Sequence, residues 1–181
     1  MLNTYVVYVE NKPGVLTRVA SLFRRRAFNI DSLTVGRTEK PEVSRMTITV
    51  DADRDQARRI EANLYKLVNV LLVENITHEP SIVRDLAMIK VAATHEARSH
   101  VLELASVFRA RVVDVAPESL IIEITGGEDK IDGLLEVLRP YGVLEMVRTG
   151  IVAMRRGKTT TSISTNNGSQ DIAEEDVSQS V

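Results

Sequence analysis

The run Asn11-Lys12-Pro13-Gly14-Val15-Leu16, set between an alternating apolar strand and an amphipathic helix, carries the residue types of a receptor for a small carboxylate. A proline near the first helical turn gives up an N–H that has no intrahelical partner in any case. The glycine after it removes the side chain that would otherwise meet a ligand. The remaining N–H groups, on Gly14, Val15 and Leu16, and the positive end of the helix dipole then face a space that favours an anion. Asn11 and Asn29 each bring an amide that donates and accepts, a pair suited to the ammonium and carboxylate of an amino acid. Leu33 and Val35 are aliphatic neighbours for its side chain. The same residues have a plainer reading, with Asn11 as a helix cap and Asn29 as a turn residue that tolerates unusual dihedrals. Composition and spacing leave both readings open.

No other constellation points to catalysis. Ser21 and Ser106 sit in helical patterns without an evident histidine partner. His95, Glu96 and His100 do not have the spacing of a helical zinc pair. Arg24-Arg25-Arg26 reads as a solvated helix end, where cations suit the dipole. The chain has no cysteine, which excludes disulfides, a thiolate nucleophile and cysteine-held metal, and fits a reducing cytoplasm. A net charge of -2 argues against nucleic-acid binding through bulk charge. No apolar run approaches the roughly 20 residues that span a bilayer, and the first residues read as strand with no targeting segment. The expectation is a chain without catalytic activity, metal or cofactor of its own.

The elements that must position the loop follow from periodicity. Tyr5 to Val9 reads as a strand, and Val15, Val19, Leu22 and Phe23 recur at helical spacing. Asn29 to Gly36 and Ser44 to Val50 alternate as two further strands, Asp53 to Leu67 is a second helix, and Val70 to Ile76 a fourth strand. The order β-α-β-β-α-β is the ferredoxin-like split arrangement. It then repeats, with strands at Leu86 to Ala92, Val112 to Val115, Leu120 to Ile124 and within Val143 to Met154, and helices at about His95 to Arg109 and Glu128 to Leu138. Ala20-Ser21-Leu22-Phe23-Arg24 is echoed by Ala105-Ser106-Val107-Phe108-Arg109, which suggests a duplicated architecture. The class is α+β: two tandem βαββαβ units, 1–78 and 85–157, with a linker at 79–84. A polar, low-complexity tail at 158–181 is expected to be disordered. Ala93-Thr94-His95-Glu96 stands where the second unit would carry the Pro-Gly loop, so one sensing unit is expected rather than two.

The segments Tyr8 to Leu16 and Phe28-Asn29-Ile30-Asp31-Ser32-Leu33 resemble the start of an ACT domain. Together with Ser44 to Ile48, Leu64 to Val68, Arg84 to Val91, Ile122 to Gly126 and Gly150 to Gly157, the resemblance is to the small regulatory subunits of acetohydroxyacid (acetolactate) synthase and covers about the first 157 positions. It implies an N-terminal ACT domain, a second ferredoxin-like domain and a homodimer formed through the ACT domains. It further implies a large catalytic subunit as partner, carrying thiamine diphosphate, magnesium and FAD, which the small subunit activates. Feedback inhibition by valine or another branched-chain amino acid is implied too. By the same resemblance the effector lies between ACT domains, with Asn11, Pro13, Gly14, Val15 and Leu16 of one subunit facing Asn29, Ile30 and neighbouring residues of the other, and Val35 nearby. Gly36, where many relatives have Ala, and Thr17, where Ser is also seen, are small departures. A stand-alone amino-acid sensor acting on a different partner is the alternative.

Overall fold

The computed structural model describes residues 1–157, so the tail expectation at 158–181 lies outside the described residues. The first unit comprises β1 (Leu2–Glu10), α1 (Val15–Arg25), β2 (Ile30–Arg37), β3 (Val43–Asp51), α2 (Arg54–Leu64) and β4 (Val70–Asn75). Its four strands form an antiparallel sheet in the order β2-β3-β1-β4. Tyr5, Val7 and Val9 on β1 and Met46, Ile48 and Val50 on β3 point to one face. They meet Val15, Val19, Leu22 and Phe23 of α1 and Ala57, Ile60 and Leu64 of α2. Helical and strand periods thus converge on one core. The Tyr5 hydroxyl donates to the Ala57 carbonyl at 3.1 Å, and burial, with the Glu61 charge, pushes its pKa up to about 12. Asp53 and Gln56 exchange hydrogen bonds as a capping box that starts α2.

The second unit comprises β5 (Ser81–Ala92), α3 (Arg98–Val107), β6 (Arg111–Val115), β7 (Ser119–Gly126), α4 (Glu128–Leu138), β8 (Val143–Arg148) and β9 (Val152–Arg155). Its strands run β6-β7-β5-β8, and β9 also pairs with β5. The stretch expected to link the units is strand from Ser81, because Ser81–Arg84 pairs with β9. The expected last strand is broken at Thr149-Gly150-Ile151 into β8 and β9. A single helical turn at Arg139–Tyr141 ends α4, with Pro140 inside it and Gly142 after it at φ 95.

The two units repeat in detail. Tyr5, Val7 and Val9 correspond to Ala87, Ile89 and Val91, while Val19 and Phe23 correspond to Val101 and Ala105. Register shifts recur at matching places, Tyr8/Val9 and Lys90/Val91, then Ile30/Ser32 and Val112/Asp114. Both first helices end on a residue with positive φ, Ala27 and Arg109. The next N–H in each case reaches back into the last turn, from Phe28 to Phe23 and from Ala110 to Ala105. The sequence echo around Phe23 and Phe108 is therefore out of register: the structural match of Phe23 is Ala105. Phe108 is the C-terminal cap of α3.

The face of the first sheet away from its helices is covered by the second unit. Val6 and Tyr8 pack with Val83, Ile151 and Ala153. Arg45 stacks on the Tyr8 ring, 5.7 Å from its centre, and its guanidinium donates to the Ala153 carbonyl. Both faces of β3 are consequently buried.

Register predicts unequal aromatic roles. Phe23→Ala is expected to lose about 3–5 kcal/mol in urea unfolding, and Phe108→Ala clearly less. Equal losses would contradict the assigned correspondence.

Candidate effector site

Gly14 is the N-cap of α1 and adopts φ 81, ψ -5, without a capping side chain. A left-handed residue here favours glycine, and a Cβ at Gly14 would meet nothing within 4 Å. The Val15 N–H is turned back to the Lys12 carbonyl at 3.4 Å, so it is already committed, contrary to the expectation that it is free. The N–H groups of Gly14, Leu16 and Thr17 have no acceptor among the described residues. The start of α1 therefore offers unpaired amides beside the positive end of the helix. Leu16 is 43% exposed next to them.

Asn11 does not cap the helix. Its main-chain N–H donates to the Glu42 carbonyl at 2.7 Å and its Nδ2 to the Pro41 carbonyl at 2.9 Å, which ties the loop to the turn between β2 and β3. Its Oδ1 is left to accept. Behind the loop, Glu10 takes hydrogen bonds from Asn69 Nδ2 at 2.5 Å and Lys12 Nζ at 3.1 Å, and Asn69 in turn accepts from Arg18. These bonds, the one from Asn69 foremost, hold the Glu10 carboxyl below its ordinary pKa.

Asn29 is exposed, just before β2. The residue with the unusual dihedral in that turn is Ala27, so the turn reading of Asn29 has no support. Strand register decides where Asn29 and Ile30 lie. Ile30 is level with Val50, and Val50 with Asn3, at the beginning of β1. Arg37 is level with Ser44, and Ser44 with Val9, beside the Gly14 loop. At about 3.3 Å per residue, more than roughly 20 Å separates Ile30 from the loop within one chain. Asn11 and Asn29 thus cannot hold one amino acid together inside a single subunit. Val35, 43% exposed on the helix-covered face, belongs to the loop end of β2. Gly36 has open space where a Cβ would stand, so the departure from Ala there is sterically neutral.

In the second unit the Arg98 N–H, the counterpart of the open Leu16 N–H, donates to the Thr94 carbonyl at 3.0 Å, and Ala97 is the counterpart of the committed Val15. The Ala97 N–H is taken by Thr94 Oγ1 at 3.4 Å. The Arg98 guanidinium lies across the turn, donating to the carbonyls of Ala93, Ala116 and Pro117. Among the described residues no group of three or more His, Asp or Glu is arranged to hold a metal. No described helix is long and apolar enough to cross a membrane.

Sequence reasoning missed residues that position β2 from behind. Ser32 Oγ accepts from the Ile151 N–H at 2.9 Å, and Asp85, buried, accepts from Arg148, Thr149 and Gly150. These are contacts between distant segments and have no local signal.

The family descriptions "AHAS small subunit-like ACT domain" and "Small subunit of acetolactate synthase" match residues 6–72 and 84–157, respectively. The chain is 52% identical over 157 residues to a probable acetolactate synthase small subunit of Archaeoglobus fulgidus, covering 87% of this chain and 98% of that protein. Identity to the acetolactate synthase small subunit of Mycobacterium bovis is 49% over 155 residues, covering 86% and 92%. The crystal structure of the acetolactate synthase small subunit from Thermotoga maritima superposes with a TM-score of 0.81 at 41% identity, covering 87% of this chain and 99% of that one. With both units matched in order and nearly the full length of these relatives spanned, the chain belongs to the family of acetolactate synthase small subunits.

Proposed function

We propose that this chain is the regulatory subunit of acetolactate synthase, activating a catalytic large subunit and conferring feedback inhibition by valine or another branched-chain amino acid. Thiamine diphosphate, magnesium and FAD belong to that catalytic partner, and this chain performs no turnover. The effector lies between the ACT domains of two copies. The observation that carries this reading is the strand register, which puts Gly14 and Ile30 at opposite ends of one sheet. Two copies joined by a twofold axis along their β2 edges would bring the Gly14 end of one to the Asn29 end of the other, twice. Pairing would also cover an edge strand whose outer hydrogen-bonding groups are otherwise open.

In such a junction the Gly14 and Leu16 amides take the effector carboxylate, and Asn11 Oδ1 suits its ammonium. Leu16 and Val35 offer apolar surface to its side chain, while Asn29 and Ile30 arrive from the neighbouring copy. Pro13 fixes the approach of the chain to Gly14. Val15 serves as a core residue, since its side chain is buried and its N–H committed. An effector gripped by two copies favours one arrangement of them, and its influence on catalysis is then a coupling free energy, typically 1–3 kcal/mol.

Two outcomes check this reading, and a third checks the Glu10–Asn69 brace behind the loop. In reconstitution, the catalytic subunit is expected to gain activity and valine sensitivity when this chain is added; identical behaviour with and without it would reject the function. In calorimetry, Gly14→Asp should weaken valine binding by at least about tenfold, or about 1.4 kcal/mol. Gly14→Asn, which tolerates the same backbone conformation without the charge, should lose less, and equal losses would argue against an anion at the amides. Asn69→Ala should raise the Glu10 pKa toward its ordinary value in a carboxyl NMR titration. Because the native pKa is the lower one, the stabilisation from this brace is full above the ordinary value and fades as pH falls through the native one. The stability gap between wild type and Asn69→Ala should narrow over that range.

A further inference from the structure

The proposed effector strand, β2, is the edge of the sheet within one subunit, and its back face rests on the second unit. Ser32 Oγ accepts from the Ile151 N–H at 2.9 Å, and Thr34 Oγ1 donates to the Thr149 carbonyl at 3.4 Å. Between these contacts sits Gly150 at φ 86. A Cβ there would stand 2.6 Å from Ser32 Oγ and 3.1 Å from Thr34 Oγ1, so any other residue must displace the Ser32 hydroxyl, and it would do so at a positive φ that L side chains rarely adopt. The segment 149–151 is itself fixed from below. The Asp85 carboxylate accepts from Thr149 Oγ1 at 3.1 Å and the Gly150 N–H at 3.2 Å through one oxygen, and from Arg148 Nε at 2.6 Å through the other. The Thr149 N–H donates to the Leu86 carbonyl at 3.0 Å, and Arg148 also reaches Asp132 at 3.1 Å. A buried carboxylate with this many charge-assisted partners fixes its surroundings strongly. A cleft of about 380 Å³, lined by Asp31, Ser32, Arg148 and Gly150 among others, separates the two units at this end of β2, next to Asn29.

We propose that Ser32 and Gly150 are positioning residues: the second unit, through the 149–151 segment anchored on Asp85, sets where β2 stands and receives the change when an effector occupies the Asn29 end. The proposal rests on the effector reading of the preceding subsection for its ligand-dependent half. Its ligand-free half stands alone. The physical reason is stiffness: within one subunit β2 has a strand neighbour on one side only, so its position depends on the core under Ile30 and Leu33 and on the contact behind Ser32 and Thr34. Coupling of this kind is reciprocal, so loosening the rear contact must also alter the response to the effector.

Hydrogen exchange on the full chain tests both halves. Without ligand, Ser32→Ala should speed exchange of β2 amides about fivefold, the effect of losing one hydrogen bond, with the second core around Ile122 unchanged. Gly150→Ala should do more, and if it fails to fold, Ser32→Ala decides. Faster exchange at 149–151 with β2 unchanged would overturn the positioning role. With valine at saturation by calorimetry, wild type should change its exchange at 149–151. Ser32→Ala should lose that change, and with it most of the valine inhibition of the reconstituted enzyme, while valine affinity stays within about threefold. An unchanged 149–151 segment in valine-bound wild type would overturn the transmission. If calorimetry detects no binding of any branched-chain amino acid, the effector reading fails, and the unliganded comparison still decides whether the second unit positions β2.

Discussion

The first sheet obeys one constraint on which the rest depends: β1 and β2 run parallel, held apart by the antiparallel β3 between them. The loop leaving the end of β1 and the turn entering the start of β2 therefore lie at opposite ends of the sheet. In a single subunit the unpaired amides at Gly14 face no amide from Asn29. The proposed junction of two copies resolves this separation, because a twofold axis exchanges the ends of an edge strand. The same proposed step would turn two incomplete halves into two equivalent sites and would make effector occupancy a report on how two subunits are arranged.

Much of this was legible in the sequence, for physical reasons that can be named. The alternation in Tyr5 to Val9 and the helical spacing of Val15, Val19, Leu22 and Phe23 are local patterns, and the core follows them. The Pro-Gly pair marked the start of α1, although Pro13 stands ahead of the helix and the role of Gly14 is a left-handed N-cap rather than only a missing side chain. What escaped was long-range. Asn11 is occupied by carbonyls at Pro41 and Glu42, and Ser81–Arg84 is strand because β9 pairs with it. The Phe23 and Phe108 echo misled because two amphipathic helices draw on the same few apolar residues. The true correspondence is carried by core spacing and by matching register shifts. Val15 illustrates a finer limit: the turn that creates a free amide at Gly14 also folds the next one back onto Lys12.

The two units share one architecture and differ at the start of their first helices. In the first, glycine at the helix start leaves amides open. In the second, the counterpart of the Leu16 amide, on Arg98, is bonded to the Thr94 carbonyl, and the Arg98 guanidinium spans the turn. The second unit lays the β8–β9 connection and β9 across the back of the first sheet, where Ile151 and Ala153 join Val6 and Tyr8 in a shared apolar layer. The polar contacts of Asp85, Gly150 and Ser32 form the rim of that layer. Regulation proposed for this family member would thus draw on a face that holds an effector and a rear support that gives the face its position.

Subunit mixing tests the central claim most directly. Gly14→Asp and Asn29→Leu each damage both junctions of a homodimer, whereas a mixed dimer of the two variants would keep one junction with an intact Gly14 loop and an intact Asn29. Calorimetry with valine on the co-refolded mixture should recover binding that neither variant shows alone, at one site per mixed dimer. If mixed dimers form, as mass spectrometry would establish, and binding is not recovered, the effector does not sit between the Gly14 end of one copy and the Asn29 end of another.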